Sequence, residues 1–413
     1  MIEAAKTVPA RFGKALRLGL GAAIALATLA SLAFVLTRAG DPEELWAEAR
    51  GEFEARRFDR AEALMARVGR LRAPTPMDRT LRAQLEMAAG RVDPAIADLA
   101  AVPDDHKMAP QARLQAGQLE LRRNRFPAAE AWFRKALAID PKTVRARREL
   151  IYILGMQLRR AELNANFRAL AELAPLDFSE VFLWCLTRGV SWEPLELISV
   201  LSKCVEADPA DRWARLALAE SFREVSRLDD AEAALATLGD DDPDARAARV
   251  RLALARGEDA SAEALLAGGP ADHLGLALLR GQFALARNDG PGALRQYRIA
   301  DRIAPHAREP VFGLGQALQL AGDAAGAAPH LDEARKLDRL GSLVQKAASQ
   351  SNRGDPALMR DLGAACFEVG RLPEARAWYN LAIARDPLDA RAQQGLARVE
   401  QAAQAAQAAA PAP

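Results

Sequence analysis

Thiols and imidazoles are the side chains of this sequence most able to react or to bind metal, and both are scarce. The 413 residues include three cysteines and four histidines, and no Cys-x-x-Cys pair. Cys185 and Cys204 are interpreted as small apolar packing residues, with a disulfide between them as the alternative if the chain is exported. Cys366 is expected to be buried. The histidines lack the spacing of metal ligands and lie at His106, His273, His306 and His330. We therefore predict no metal site.

The sequence contains no catalytic motif. It has no Gly-rich phosphate loop, no Ser-His-Asp order and no paired-carboxylate motif. Arg353-Gly354-Asp355 spells a cell-adhesion tripeptide, but Pro356 follows it, and Asp-Pro is an ordinary helix start. The formal net charge of +1 argues against a chain that binds nucleic acid. We predict a non-enzymatic protein without a cofactor.

The elements that would position functional residues are helices. In the stretch FPAAEAWFRKALAIDP, residues 126–141, Ala129, Phe133 and Ala136 are spaced so that they share one helix face. Pro141 then ends the helix, because it lacks an amide donor. Alanine and leucine dominate the chain, and no clear run of alternating Val, Ile and Thr predicts a strand. Stretches similar to the first one recur at 293–305 and 375–387.

The helix pattern repeats every 34 residues, in frames that start at 42, 76, 110, 144, 178 and 212. Position 24 of these frames is always apolar, as Met65, Leu99, Phe133, Phe167, Leu201 and Leu235. Position 32 is proline in four successive frames, as Pro141, Pro175, Pro209 and Pro243. Position 8 is mostly small. Small residues at positions 8 and 20 should let two antiparallel helices approach closely, with the residue at position 24 between them.

This pattern resembles the tetratricopeptide repeat family, in which Leu-Gly occupies positions 7 and 8, Ala position 20, an aromatic residue position 24 and Pro position 32. The last unit matches it closely, with Leu362-Gly363, Ala375, Tyr379 and Pro387. The sequence departs from the family at position 4, which lacks tryptophan, and at position 11, which generally lacks tyrosine. The resemblance implies an all-α, right-handed superhelical solenoid of about ten antiparallel helix pairs.

The predicted organisation has eight segments. They are a cytoplasmic tail (1–17), a transmembrane helix (18–37), six contiguous repeats (42–245), an irregular short repeat or bend (246–273), two repeats (274–341), a polar spacer (342–355), a last repeat (356–389), and a capping helix with a disordered Ala/Pro tail (390–413). The short unit is broken by glycines, and we expect that it does not stack as its neighbours do. No room then remains for a catalytic domain.

The N-terminal region is distinct from the repeats. Residues 18–37 are twenty uncharged residues, long enough as a helix for the roughly 30 Å of a bilayer core. Lys and Arg precede this segment and acidic residues follow it, so the N-terminus is predicted to be cytoplasmic and the repeats periplasmic or extracytoplasmic. A cleaved signal peptide is the alternative to this anchor, and cytoplasmic repeats are the alternative to this location.

The resemblance also implies a binding surface, because the family turns positions 2, 5, 9, 12 and 13 of each first helix towards a concave groove. The residues predicted to line a peptide-binding groove here are Gln118, Arg122, Arg145, Arg148, Tyr152, Phe182 and Trp213. Aromatic and arginine side chains are typical interface hot spots, and Arg148 with Tyr152 would suit an acidic or C-terminal peptide segment. Packing against neighbouring repeats is the alternative for Phe182 and Trp213.

A clamp for chaperone tails is disfavoured, because it needs Lys at position 5 and Asn at position 9. The first repeat has Trp46 and Arg50 there instead. Charge is segregated along the array: residues 110–177 hold 13 Lys or Arg against 7 Asp or Glu, and residues 178–245 hold 6 against 15. Such a pattern could steer a partner or favour head-to-tail association.

Three functions follow from these features. The leading hypothesis is a membrane-tethered scaffold that binds a peptide segment or protein subunit, since anchored arrays resemble bacterial proteins that assist envelope assembly or translocation. A self-assembling structural protein, and thus a homo-oligomer, is the second hypothesis. An accessory subunit of a membrane enzyme complex is the third.

Overall fold

The computed structural model describes residues 40–187 and 193–409, and within these ranges the chain is helical without any strand. It divides into two compact units, the first ending at Ala116 and the second beginning at Gly117. The predicted tail 1–17 and transmembrane helix 18–37 lie outside the described residues. Among the helices of the described ranges, none is long and apolar enough to cross a membrane.

The first unit contains four helices and the start of a fifth. They are α1 (Pro42–Glu54), α2 (Phe58–Leu71), α3 (Pro76–Ala88), α4 (Val92–Ala100) and α5 (Ala109–Arg122). Its core joins two helix pairs, because Ala49, Ala61, Met65 and Leu81 lie in one buried cluster. The core therefore sits between helices that come from successive repeats.

The second unit holds the remaining helices. The first eight are α6 (Phe126–Ile139), α7 (Val144–Met156), α8 (Arg160–Leu173), α9 (Phe178–Leu186), α10 (Pro194–Ala207), α11 (Arg212–Glu224), α12 (Leu228–Leu235) and α13 (Pro243–Arg256). They are followed by α14 (Asp259–Ala267), α15 (Leu274–Ala286), α16 (Gly290–Ile303), α17 (Arg308–Leu320), α18 (Ala324–Ala348), α19 (Pro356–Glu368), α20 (Leu372–Arg385) and α21 (Ala390–Ala409). The prediction of an all-α repeat chain is confirmed for the described residues.

A left-handed residue ends the first helix of most pairs. At Gly90, for example, φ is +75°, and the amide of Arg91 donates to the carbonyl of Glu86 at 2.8 Å. This bond reaches back over the last helical turn and satisfies a carbonyl that the helix would leave unpaired. Other residues in the same turn with positive φ are Arg56, Asn124, Leu158, Ser226, Gly257, Asn288, Gly322 and Gly370. The turn reverses the chain within a few residues, so the two helices of a pair run antiparallel.

Glycine allows the helices of adjacent repeats to approach an aromatic ring. A Cβ added to Gly281 would lie 2.8 Å from the ring of Tyr297, and one added to Gly313 would lie closer still. Tyr297 is only 4% exposed, because both neighbouring first helices cover it. Gly117 faces Phe133 in the same way. The predicted roles of the small position 8 and the apolar position 24 are confirmed here.

Several repeats have arginine at position 4, where the family pattern has tryptophan. Arg113 is 2% exposed and donates to the carbonyls of Leu99 and Val102 at the end of α4, both at 2.5 Å. Arg249 makes equivalent bonds to the end of α12. The guanidinium therefore supplies donors to carbonyls that helix ends leave unpaired. Arginine also occupies this position as Arg79, Arg147 and Arg215.

Both irregular segments contain helical residues. The short unit 246–273 does stack on its neighbour, because the nine-residue α14 still buries Ala262 and Leu266 in one cluster with Leu276 of the next repeat. The segment 342–355 begins inside a helix: α18 extends to Ala348, since Leu340, Val344 and Ala347 are buried along one face.

Within the second unit, distant repeats touch at a contact that we call the clasp, formed by α9 against α18 and α20. Val181 and Cys185 of α9 lie in one buried cluster with Val344 of α18 and Trp378 of α20. The ring of Phe178 meets that of Trp378 edge-on, with 5.5 Å between centroids. The middle of the array is thus packed against its C-terminal repeats.

Candidate peptide-binding surfaces

The predicted groove residues lie on first helices of four consecutive repeats. The helices are α5 (Gln118, Arg122), α7 (Arg145, Arg148, Tyr152), α9 (Phe182) and α11 (Trp213). Nε2 of Gln118 donates to Oε1 of Glu149 at 2.7 Å, and Nε of Arg148 donates to Oε1 of Glu180 at 2.6 Å. Polar contacts therefore already bridge neighbouring repeats along this stripe.

The arginines of the stripe differ in their availability. Arg122 and Arg145 are exposed. Arg148 is 47% exposed, but it is paired with a carboxylate of its own chain, and the hydrogen bond to Glu180 raises its pKa. A peptide carboxylate would have to compete with Glu180 for Arg148.

Tyr152 is partly a core residue. Its ring meets Phe126 edge-on, with 6.1 Å between centroids, and burial raises the pKa of its phenol. The side chain is half-buried. One side of Tyr152 therefore packs in the core and the other is exposed. Its replacement should affect the stability of the fold as well as the binding of any ligand.

Trp213 covers a buried polar network. The guanidinium of Arg159 lies 4.8 Å from the centroid of its ring. Arg159 is almost inaccessible and pairs with Glu130 at 2.5 Å. Burial acts to raise the pKa of Glu130, but hydrogen bonds from Arg159 and Arg134 outweigh it and leave that pKa lowered. The tryptophan shields these charges from water, which favours the packing alternative for this residue.

Phe182 is covered by the clasp. It stacks on Phe178 with 5.9 Å between centroids and packs against the buried cluster that contains Trp378. Phe182 therefore keeps only a partly exposed surface, which supports the packing alternative for this residue.

A groove of about 310 Å³ lies in the first unit, on a surface that sequence reasoning did not select. Trp46, Phe53, Met77, Leu81 and Met108 form its apolar wall. The remaining lining residues are Arg50, Glu54, Thr80 and Gln84. The apolar wall and the small number of polar groups are typical of a site for an apolar side chain.

Trp46, which lines this groove, carries a buried donor without a partner. Within the described residues, the buried Nε1 of Trp46 makes no hydrogen bond. The guanidinium of Arg50 lies over the ring at 6.0 Å from its centroid and also pairs with Glu54 at 2.9 Å. A buried donor without an acceptor costs about 1–3 kcal/mol, so a ligand that supplies a carbonyl would gain from reaching it.

This groove could have been found from positions 5 and 9 of the first two repeats. In the sequence analysis, those positions serve only to disfavour a clamp for chaperone tails. The signal that was missed is the run of large apolar residues at neighbouring positions, Phe53 and Met77, together with Trp46. Only packing shows that the three side chains leave a gap between α1 and α3.

The cysteines and the possible metal ligands are the remaining candidates for chemistry. All three cysteines are free and buried, so the alternative disulfide between Cys185 and Cys204 is not present. No group of three or more His, Cys, Asp or Glu residues in 40–187 or 193–409 is placed to hold a metal ion.

Three segments of the chain match models of a known repeat family. A tetratricopeptide repeat model matches residues 80–142 and 312–390, and a second model of the same description matches residues 198–251. These three segments are therefore similar to tetratricopeptide repeats. Of the clasp helices, α9 lies outside the matched segments, whereas α18 and α20 lie within the match at 312–390. No curated protein matches the chain significantly.

Three solved structures align with much of the chain at low similarity. One is a tetratricopeptide repeat protein from Parabacteroides merdae, with 16% identity, 59% of this chain and 98% of that chain covered, and a TM-score of 0.31. The Cut9–Hcn1 hetero-tetramer of the APC/C has 14% identity, 88% and 91% coverage and a TM-score of 0.34. The repeat domain of P58(IPK) has 15% identity, 89% and 99% coverage and a TM-score of 0.27.

Proposed function

We propose that this protein is a membrane-tethered scaffold that holds a peptide segment or protein subunit during assembly or translocation at the cell envelope. The tetratricopeptide repeats support a role in protein–protein interaction. The tether rests on the uncharged segment 18–37, and the basic residues before it favour repeats on the extracytoplasmic side.

The groove between α1 and α3 supplies the binding site in this proposal. The observation that carries it is the buried, unpaired indole N–H of Trp46 beside an open apolar gap. The donor suits a peptide carbonyl, and the gap suits a large apolar side chain next to that carbonyl. Met77, which is 45% exposed, can adapt its shape to such a side chain.

The rim of the groove carries little net charge, which defines the kind of partner. Arg50 and Glu54 neutralise each other, and Thr80 and Gln84 are neutral. An acidic peptide would gain little here, whereas a segment with an exposed Leu, Met or Phe would bury that residue against Trp46. The partner is therefore a protein segment with an apolar anchor residue.

A random-peptide selection against the detergent-solubilised full chain tests the binding site. Selected peptides should share a large apolar residue, and Trp46→Ala should weaken their binding by about 2 kcal/mol, the loss of one hot spot. Trp46→Phe, which keeps the packing but removes the donor, should lose a smaller part. Trp132→Ala is the matched control. Peptides that bind Trp46→Ala with unchanged affinity would place the site elsewhere.

A protease added outside spheroplasts tests the tether. The repeats should be degraded and a small N-terminal fragment should stay with the membrane. Protection of the repeats while the membrane is intact would place them in the cytoplasm and contradict the proposed location.

A further inference from the structure

Two of the three cysteines meet in the buried cluster of the clasp, to which α19 also contributes. Cys185 on α9 and Cys366 on α19 belong to the same buried cluster, although they come from separate repeats. Cys185 is 5% exposed and Cys366 is fully buried. Sγ of Cys185 accepts a hydrogen bond from Nε1 of Trp378 at 3.2 Å, which fixes the thiol on the side of α9 that faces the C-terminal repeats.

The thiols also interact with each other. The hydrogen bond with Cys185, followed by burial, raises the pKa of Cys366 well above its usual value. The two thiols are therefore adjacent, and the raised pKa favours the protonated form of Cys366 while the clasp is closed. A protonated, buried thiol reacts slowly, because the thiolate is the nucleophile.

The third cysteine provides an internal comparison. Cys204 on α10 is also fully buried, and burial raises its pKa to about 12. Its neighbours include Tyr152 and Asp211, and it belongs to a different part of the core from the clasp. All three thiols are buried, but only Cys185 and Cys366 lie against each other.

We propose that Cys185 and Cys366 form a reversible disulfide that fixes the clasp closed. The site takes a small-molecule disulfide, such as oxidised glutathione, as its oxidant. This inference is independent of the Trp46 groove, which lies in the other unit.

The reaction is a double thiol–disulfide exchange. When the clasp opens, one cysteine thiolate attacks the disulfide of oxidised glutathione, forms a mixed disulfide and releases one molecule of glutathione. As the clasp closes, the other cysteine attacks the protein sulfur of that mixed disulfide and releases the second glutathione. The two thiol protons of the protein end on the two released glutathione molecules, so atoms and electrons balance.

Opening is the step that gives access to the thiols. The closed clasp shields both sulfurs, and beside it an exposed ion pair joins Arg376 of α20 to Glu172 of α8 at 2.5 Å. Exposed ion pairs hold weakly. The new bond would close a loop of more than half the second unit, and long loops gain most from such a bond in the chain-entropy model.

The test is oxidation of the full chain in detergent with oxidised glutathione, followed by alkylation and mass spectrometry of the digest. We expect a crosslinked pair of peptides containing Cys185 and Cys366, with the loss of two hydrogen atoms, and a midpoint of thermal unfolding raised by about 5–10 °C. Cys204→Ala should behave like the parent. Cys185→Ala and Cys366→Ala, checked for folding by circular dichroism, should lose both effects.

Three results would overturn the inference. One is a crosslink to Cys204 instead of Cys366. Another is stable capping of Cys185 or Cys366 by glutathione in the folded chain, which would show that the second exchange does not occur. The third is no reaction of either thiol under conditions that oxidise the same chain in urea.

Discussion

The indole N–H of Trp378 donates a hydrogen bond to Sγ of Cys185 at 3.2 Å, although the two residues are 193 positions apart. Most contacts of a repeat array join a unit to the next one. This bond joins α9 to α20 across several intervening repeats. The C-terminal repeats are consequently held from two directions, by their neighbours in sequence and by the clasp.

Trp378→Ala tests how much the clasp contributes. Trp378 is fully buried, so its truncation should reduce the free energy of unfolding by about 3–5 kcal/mol. Because repeat arrays can unfold in parts, the variant should also lose hydrogen-exchange protection in α9, which Trp378 touches only through the clasp. The control is Trp132→Ala, a half-buried tryptophan outside the clasp, which should leave α9 unaffected. Unchanged protection of α9 in Trp378→Ala would mean that the clasp adds no stability.

Arg113→Met tests the role of arginine at position 4. Methionine keeps much of the apolar stem but leaves the carbonyls of Leu99 and Val102 without their donors, and we expect a loss of about 2–4 kcal/mol in urea unfolding. Arg79→Met is the matched control at the same position of the preceding repeat. Arg79 is 30% exposed and lies 3.9 Å from Asp98, so its loss should cost less than about 1 kcal/mol. Equal effects of the two changes would contradict the proposed role.

Gly313→Ala should lower the free energy of unfolding, whereas Gly341→Ala should raise it. A Cβ on Gly313 collides with the buried ring of Tyr297, and such overpacking costs about 1–3 kcal/mol. A Cβ on Gly341 meets no atom within 4 Å, and Ala in place of Gly inside a helix should add about 0.5–1 kcal/mol. Thermal unfolding of the two variants measures both effects. A stabilised Gly313→Ala would show that the ring of Tyr297 is not confined as described.

Asp244 should make the stability depend on acid pH. A hydrogen bond with His273, and further bonds from Arg212, lower its pKa to about 2. A lowered pKa in the folded chain stabilises the fold above the unfolded pKa of about 4. That stabilisation is lost as the pH falls towards about 2. The carboxylate is 36% exposed, so solvent screening limits the contribution to roughly 1 kcal/mol.

Urea unfolding between pH 2 and pH 6 measures this contribution. Asp244→Asn should be less stable than the parent at pH 6, and the difference should vanish near pH 2. Asp241→Asn, which changes an exposed carboxylate in the same turn, is the control and should track the parent. A constant difference between Asp244→Asn and the parent across the range would rule out the assigned titration.

The helix pairs were predictable because their signals are local. Ala129 and Phe133 mark a buried helix face, and the regular return of such residues defines each pair. At position 4 the sequence pattern shows only that tryptophan is missing, and it does not predict a role for the arginine found there. Its partners are backbone carbonyls, such as those of Leu99 and Val102, and backbone groups leave no trace in a sequence pattern.

The clasp and the Trp46 groove were not predictable from the repeat pattern. Contact between α9 and α20 depends on small rotations summed over many repeats, which a pattern of small and apolar residues does not specify. Phe182 was predicted to line the groove, with packing as the alternative, and the structure packs it against the buried cluster of the clasp. The Trp46 groove is a gap left between packed side chains. The residue types alone do not show where such a gap forms, because it depends on how the helices pack.

The left-handed turns have a consequence for adaptation. Arg56, Asn124, Leu158 and Ser226 hold φ values of 55–60°, a conformation that costs an L-residue other than Gly roughly 1 kcal/mol or more. At the glycines of the same turn, such as Gly90, a side chain would meet no neighbouring atom. Replacing the strained residues by glycine should therefore raise stability in small, additive steps, because the turns are far apart. Substitutions at these turns can therefore adjust the thermal stability of the chain in steps, to suit a warmer or a colder habitat. They do so without altering the surfaces that meet a partner.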